Sequence, residues 1–417
     1  MLVDITKKKI LIVFPSPLFP VEGMSQVRTI EQITRLSKDF ILDLAFIGRD
    51  NKELQLHKEK LLGICENIVL LNHPKFEKGT LTRIFRTLYF KLIYKRKGKP
   101  IEYQVSTHPA VLKKILRLCN ENAFDLILVH YWHLGIIFSK LSKSILKAID
   151  THYVVQENLE VFNKGLYENV NNNLLKRELG FSLERQNEYF YEADILIFNS
   201  EKQAEIIKKI FPEKHLIVTP NGQPLDKFLN YSQTEPEQSL LFYGSLSNQF
   251  NKKALKLLIH QIIPSLRKVY PALKVIFLGA RPPEWLQRMH NGRDFTVTGF
   301  VEDIRPFIAG SYLSVLPLST ASGFRGRAIE LMALGVPVIG THNALDSIGI
   351  TTGVDGYITD DVNEMIKLAL DLFQDRELRH HISLNAKKLV SEKYSIEATF
   401  GKLSGTIQNI LNNPDHG

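Results

Sequence analysis

The chain has 417 residues, of which 44% are hydrophobic and 23% charged, with a formal net charge of +9. This balance excludes disordered, collagen-like and membrane-spanning classes, and the length predicts two domains of ordinary size. Two widely separated cysteines, Cys65 and Cys119, fit a reducing compartment, are expected to be buried and inert, and offer neither a disulfide framework nor a zinc site.

The first element is KILIVF (9–14), read as a buried strand. Its apolar run is short and is followed by Pro15, Pro17 and Pro20, and no A-x-A cleavage pattern follows, so it is not a signal peptide. No segment reaches the roughly 18 apolar residues of a transmembrane helix. The expected location is the cytoplasm.

After a helix from about Ser25, further buried strands are predicted at 41–47, 67–71, 124–130, 145–150, 193–200 and 215–222. Between the second and third of these runs, Lys78 to Lys99 holds eight basic residues and no acid, nearly the whole charge excess. At 100° per residue, Leu81, Ile84, Phe85, Leu88, Tyr89 and Leu92 fall on one side, and Arg83, Arg86, Lys91 and Lys97 on the other. This is a basic amphipathic helix. It suits an anionic membrane surface, with Arg83, Arg86, Lys91, Lys95, Arg96 and Lys97 as contacts, or a helix packed on its own domain with a solvated face. No zinc, RRM or helix-turn-helix signature accompanies the charge, so nucleic acid is not an expected partner.

The polar stretch 223–238 reads as a linker, after which the alternation restarts. Strands are predicted at 239–245, 273–279, 295–301, 312–318 and 336–341, and helices at 251–269, 361–375, 376–392 and 395–412. The fold class is therefore α/β, with two doubly wound Rossmann-like domains. Their boundaries are 1–226 and 237–394, with 395–417 a C-terminal helix that has the option of crossing back to the first domain. Ligands of such folds bind outside the carboxyl edges of the strands, so the site is expected in an interdomain cleft.

The string GFRGRAIELMALGVPVIG (323–340) carries the chemistry. A short helix opens with Arg325 and Arg327, although the positive end of a helix dipole prefers acid. Helix-start N–H groups, two cations and the close approach allowed by Gly323 and Gly326 make a site for a diphosphate. Glu330, farther into the helix, can accept bonds from sugar or ribose hydroxyls. Pattern alone leaves open that both arginines are surface charges and that Glu330 pairs with one of them.

SGFRGRAIELMALGVPVIGT and the preceding GFVEDIRPFIAGSYLSVLPL resemble the donor domain of retaining glycosyltransferases of the GT-B fold, the family 4 group. EADILIFNSE, TPNGQPLDKF and LLFYGSLSNQFNKKALKLL are similar to that family's domain junctions, in the same order. The resemblance implies an acceptor-side N-terminal domain and a C-terminal domain that binds a nucleotide-sugar donor. Glu330 matches the family's ribose-binding glutamate, whereas Ser322 stands where a second glutamate is usual. Backbone N–H groups from Ser322 through Gly323 and Phe324 to Arg325 would then hold the sugar.

The family's diphosphate arginine after the first strand of the donor domain is absent here. That stretch offers Gly244, Asn251 and two lysines, so Arg325 and Arg327 take over the phosphate. The resemblance further assigns Gly23 to the loop beside the transferred sugar, with Arg28 a weaker candidate, and His152 to the sugar near the reacting carbon. His130 and His133 are alternatives to His152. His152, Arg325 and Arg327 are the expected catalytic set, with no metal and no cofactor beyond the donor.

The implied reaction transfers a sugar from a nucleoside diphosphate to an acceptor hydroxyl with retention. No carboxylate nucleophile is evident, so a front-face path assisted by the donor phosphate is expected. A lipid-linked or glycan acceptor of bacterial surface assembly, reached from the cytoplasmic membrane face, suits the basic helix. A nucleotide-sugar epimerase on the same fold and an inactive nucleotide-sugar-binding partner subunit are the alternatives. Ser322 makes the second thinkable. A dinucleotide oxidoreductase is disfavoured, because no G-x-G-x-x-G follows the first strand.

Overall fold

The computed structural model describes residues 7–21, 24–48, 51–72, 100–163, 172–231, 237–247, 249–318 and 325–413. The chain forms two compact units, one from Met1–Gly222 with Thr399–Gly417 and the other from Gln223–Ala398.

The first unit holds a parallel sheet of β1 (Lys9–Phe14), β2 (Ile41–Gly48), β3 (Asn67–Asn72), β4 (Leu126–His130), β5 (Leu146–Asp150), β6 (Ile195–Phe198) and β7 (His215–Val218), in the order β3-β2-β1-β4-β5-β6-β7. Every residue of β4 and β6 is buried, as continuous Leu, Ile and Val runs require when helices cover both faces. Helix Pro109–Glu121 illustrates the helical layer. The His108 ring accepts from the Ala110 N–H, Pro109 starts the first turn, and Val111, Ile115 and Cys119 recur on the buried face. Burial pushes the Cys119 thiol up to about 11 and the half-buried Cys65 thiol to about 12, which leaves both unreactive.

The second unit repeats the plan with β8 (Glu237–Tyr243), β9 (Lys274–Leu278), β10 (Phe295–Val297), β11 (Ser311–Leu316), β12 (Val338–Gly340) and β13 (Tyr357–Ile358), ordered β10-β9-β8-β11-β12-β13. Each sheet reverses its strand order beside its first strand, between β1 and β4 and between β8 and β11. These switch points are where doubly wound folds hold ligands.

Several sequence expectations are refined. The two-residue β13 has no run long enough to be seen in the sequence. The predicted linker holds a short helix, Asp226–Leu229, and β8 begins at Glu237. The helix expected at 251–269 starts at Gln249 and passes through a π turn, Leu258–Ile262, just before Pro264. Proline has no N–H to bond the preceding turn, and the wider turn absorbs that loss. A second π turn, Glu397–Gly401, opens the C-terminal helix Lys402–Asn412.

At the carboxyl edge of the second sheet the backbones of two strands nearly touch. A Cβ on Gly279 would lie 1.8 Å from the Gly244 carbonyl oxygen, a contact no side-chain rotation relieves. Gly279→Ala is therefore expected to destabilise the protein by roughly 3 kcal/mol. Gly180→Ala, on helix Asn172–Glu192 with nothing within 4 Å of the new Cβ, should be neutral or slightly stabilising. Urea denaturation of both variants checks the contrast.

Candidate active site

In the first unit the edge is organised around Arg28, on helix Met24–Leu36 just beyond β1. Its side chain is buried, 1% exposed, and its guanidinium donates to Asp150 Oδ2 at 3.0 and 3.2 Å. It also donates to the carbonyls of Thr219 and Pro220 at 2.8 and 3.1 Å and to Asn221 Oδ1 at 3.2 Å. The Phe400 ring covers it, with the guanidinium carbon 5.4 Å from the ring centroid. Gln32 gives Asp150 another donor, and the Arg28 charge holds the Asp150 carboxyl down at about 2 against its burial. Arg28 is thus committed to an internal ion pair that ties β1, β5 and β7 together.

Beside this pair, Tyr131 follows β4 with φ 69° and His152 follows β5 with φ 54°. Non-glycine residues rarely take this region, and such strain persists only where surrounding bonds enforce it. Here the Tyr131 N–H donates to the Asp150 carbonyl, and Asn199 Nδ2 donates to the His152 carbonyl, both at 2.8 Å. The two side chains stack, with centroids 4.4 Å apart and planes 11° from parallel. Arg281, past β9, is the remaining non-glycine residue with positive φ among the described residues. All three lie past carboxyl strand ends.

His130 Nδ1 and His152 Nε2 share a hydrogen bond at 2.9 Å. The Thr29 hydroxyl donates to the Ser25 carbonyl at 2.8 Å, so toward His130 Nδ1, at 3.3 Å, it can only accept. The proton therefore sits on His130 Nδ1, which donates to His152 Nε2 and leaves the His152 proton on Nδ1. This assignment also spares His130 Nε2, which has no partner among the described residues, from being a buried orphaned donor. Burial lowers His130 and His133 to about 3 and His152 to about 4, so all three are neutral.

His130, Asp150 and His152 offer three ligand atoms within 4.8 Å of one another. His130 Nδ1 and His152 Nε2 already bond each other and Arg28 pairs with Asp150 Oδ2, whereas Asp150 Oδ1 and His130 Nε2 have no hydrogen-bond partner among the described residues. Next to Tyr131, a cavity of about 300 Å³ is lined by Pro15, Ser16, Val105, Ser106, Tyr131, His133 and Tyr153. Among the described residues, no lysine, arginine or acid lines it.

In the second unit, helix Arg325–Ala333 follows β11 and places Arg327 and Glu330 one turn apart on one face. Tyr243, the last residue of β8, donates its hydroxyl to Glu330 Oε2 at 2.8 Å. The Arg327 guanidinium carbon lies 5.8 Å from the Tyr243 ring centroid. Burial raises the Glu330 carboxyl, with the Tyr243 bond, Lys227 and Arg327 opposing it. Gly244 and Asn251 complete the turn after β8, where Asn251 is buried and its amide donates to the Ser245 carbonyl at 2.9 Å. Gln223 lies at the helix start, its Nε2 3.2 Å from where a Gly326 Cβ would stand.

The structure thus brings Arg327, Glu330, Gly244 and Asn251 to one sheet edge, and His152 with His130 and His133 to the other. Gly23, Ser322, Gly323 and Phe324, and the basic residues Arg83, Arg86, Lys91, Lys95, Arg96 and Lys97, lie outside the described residues. Arg325 heads its helix. Sequence reasoning missed Tyr243. Its signal was a hydroxyl-bearing aromatic as the last residue of a buried strand, immediately before a glycine.

Two parallel α/β units of this topology define the class as GT-B, two Rossmann-like domains in tandem. Residues 237–375, which include Tyr243, Arg327 and Glu330, match the family described as Glycosyl transferases group 1. Sucrose-phosphate synthase from Thermosynechococcus elongatus is similar in structure, with a TM-score of 0.61 at 14% identity over 97% of this chain and 100% of that one. Anabaena HepE in complex with UDP gives a TM-score of 0.60 at 14% identity over 96% and 100%. An S. aureus TarM variant gives 0.55 at 13% over 97% and 100%. No curated protein matches the chain by sequence.

The neutral imidazoles set a pH dependence. Each has a folded pKa below its unfolded value, so its contribution to stability is complete above about pH 6.5 and is lost as pH falls toward 4 and 3. Denaturation midpoints should fall across that window, and ring NMR signals of His130, His133 and His152 should not titrate between pH 8 and 5. Removing one partner of the buried pair leaves a charge without compensation, so Arg28→Met is expected to cost about 3–5 kcal/mol. Adding Asp150→Asn should recover part of the loss, as read by the same denaturation curves.

Proposed function

We propose that the chain is a glycosyltransferase whose Gln223–Ala398 unit binds the nucleoside diphosphate of a sugar donor. The observation that carries this reading is the family match over 237–375, because that span contains the Tyr243, Arg327 and Glu330 cluster. HepE binds UDP, and a second HepE structure holds UDP-glucose, which supports a nucleotide sugar as donor here. In this reading Glu330 accepts from the ribose hydroxyls, while Arg325, Arg327 and the start of their helix meet the diphosphate.

The reaction breaks the bond between the anomeric carbon and the leaving phosphate oxygen. The acceptor oxygen bonds the same carbon on the same face, and its proton passes to the leaving phosphate, which gives retention. The buried Asp150 is paired with Arg28 and the half-buried Glu330 accepts from Tyr243, which supports a path without a carboxylate nucleophile. Arginine cations at the leaving diphosphate would supply the charge stabilisation that a metal would otherwise give. The Nδ1–H of His152 is the donor available to a sugar hydroxyl. The cavity beside Tyr131 suits the acceptor, as an uncharged, aromatic-walled space for a neutral hydroxyl compound. The run Lys78–Lys99 supports docking to an anionic membrane surface and, with it, a lipid-linked or glycan acceptor of surface assembly. Among the described residues, no helix is long and apolar enough to cross a membrane.

Thermal unfolding with UDP, GDP, ADP and UDP-glucose, each with and without EDTA, tests the donor site. One nucleotide series should raise the midpoint by several degrees at saturating ligand, unchanged by EDTA. Arg327→Ala should weaken that ligand roughly tenfold or more. No shift with any nucleotide would overturn the reading, and a shift abolished by EDTA would overturn its metal-free form.

A further inference from the structure

We propose that Tyr243 is a positioning residue of the donor site, holding the Glu330 carboxylate for the ribose and the Arg327 guanidinium for the diphosphate. The inference rests on the reading of Glu330 and Arg327 given above and extends it to a residue outside the helix that carries them.

The geometry begins with the strand order. Tyr243 ends β8, which lies between β9 and β11, and helix Arg325–Ala333 follows β11, so the side chain stands at the switch point of its sheet. From there it touches two functional groups at once. Its hydroxyl donates to Glu330 Oε2 at 2.8 Å, and its ring lies 5.8 Å from the Arg327 guanidinium carbon. Arg327 and Glu330 are three residues apart and share a helix face, so one aromatic side chain braces both.

The chemistry explains the residue type. A half-buried carboxylate needs a donor to remain ionised and aimed, and Tyr243 provides one from a rigid ring with two rotatable bonds. The bond occupies one lone pair of Oε2, so the carboxylate keeps capacity for a ribose diol. A tyrosine hydroxyl has a single proton, and here it is given to Glu330. The ring face meanwhile attracts the Arg327 cation and limits its wandering before phosphate arrives. Phenylalanine would keep the ring face but lose the hydroxyl, which meets both Glu330 and Arg327. Leucine would lose both.

The test separates these roles. Dissociation constants for UDP and GDP are compared with those of their 2′,3′-dideoxy analogues in the intact protein, in Tyr243→Phe and in Tyr243→Leu, with inorganic pyrophosphate as a third probe. In the intact protein the nucleotide that binds should beat its dideoxy analogue roughly tenfold or more, since hydrogen bonds to a charged acceptor are strong. Tyr243→Phe should lose most of that preference while weakening pyrophosphate less than Tyr243→Leu does, because it keeps the ring face against Arg327. A merely structural tyrosine would lower nucleotide and analogue equally and leave the ratio unchanged, which would overturn the proposal alone. An intact protein without preference for the ribose hydroxyls would overturn the Glu330 reading and this inference with it. Unfolding midpoints of the variants show whether each is folded.

Discussion

The first unit is built around the buried ion pair of Arg28 and Asp150. Two opposite charges withdrawn from water are costly unless they are paired and hydrogen-bonded; here Asp150 Oδ2 takes the donors, while Oδ1 has no hydrogen-bond partner among the described residues. Asp150 receives donors from Arg28 and Gln32, and Arg28 spends its remaining N–H groups on the Thr219–Asn221 segment. Because those partners come from helix Met24–Leu36 and from the ends of β5 and β7, the pair fixes the helix against the carboxyl edge of the sheet. The strained turn of Tyr131 hangs on the same residue, since the Asp150 carbonyl accepts from the Tyr131 N–H, while Asn199 holds the turn of His152. Rigidity at this edge places a neutral imidazole without relying on its titration.

The two edges use different means to the same end. On the first, buried neutral imidazoles and an internal ion pair leave no net charge among the described side chains that surround them. On the second, Arg327 and a helix start gather positive charge, with one carboxylate held one turn away.

Much of this was legible from the chain. Buried parallel strands announce themselves as apolar runs, so KILIVF, FDLILVH and YLSVLPL were found as strands, and the arginine-led helix stood out because it contradicts helix-dipole preference. What stayed hidden depends on long-range contact. Arg28 and Asp150 are separated by 122 positions, and nothing local marks either as a partner of the other. Tyr243 looked like one more apolar strand residue, because its partner Glu330 lies 87 positions away. The left-handed turns at Tyr131 and His152 were invisible because glycine, the usual sign, is absent from both positions. The π turns at Leu258–Ile262 and Glu397–Gly401 alter hydrogen bonding without altering the apolar period.

The return of Thr399–Gly417 to the first unit has a consequence for synthesis. The aromatic cover over Arg28 is Phe400, which leaves the ribosome only after the whole of Gln223–Ala398 has been made. At ordinary elongation rates that interval is roughly 10 to 35 s. During it the second unit, continuous in sequence, can complete its core, while the first carries its central ion pair under a gap. The molecule therefore matures out of chain order. The half translated first is the half finished last.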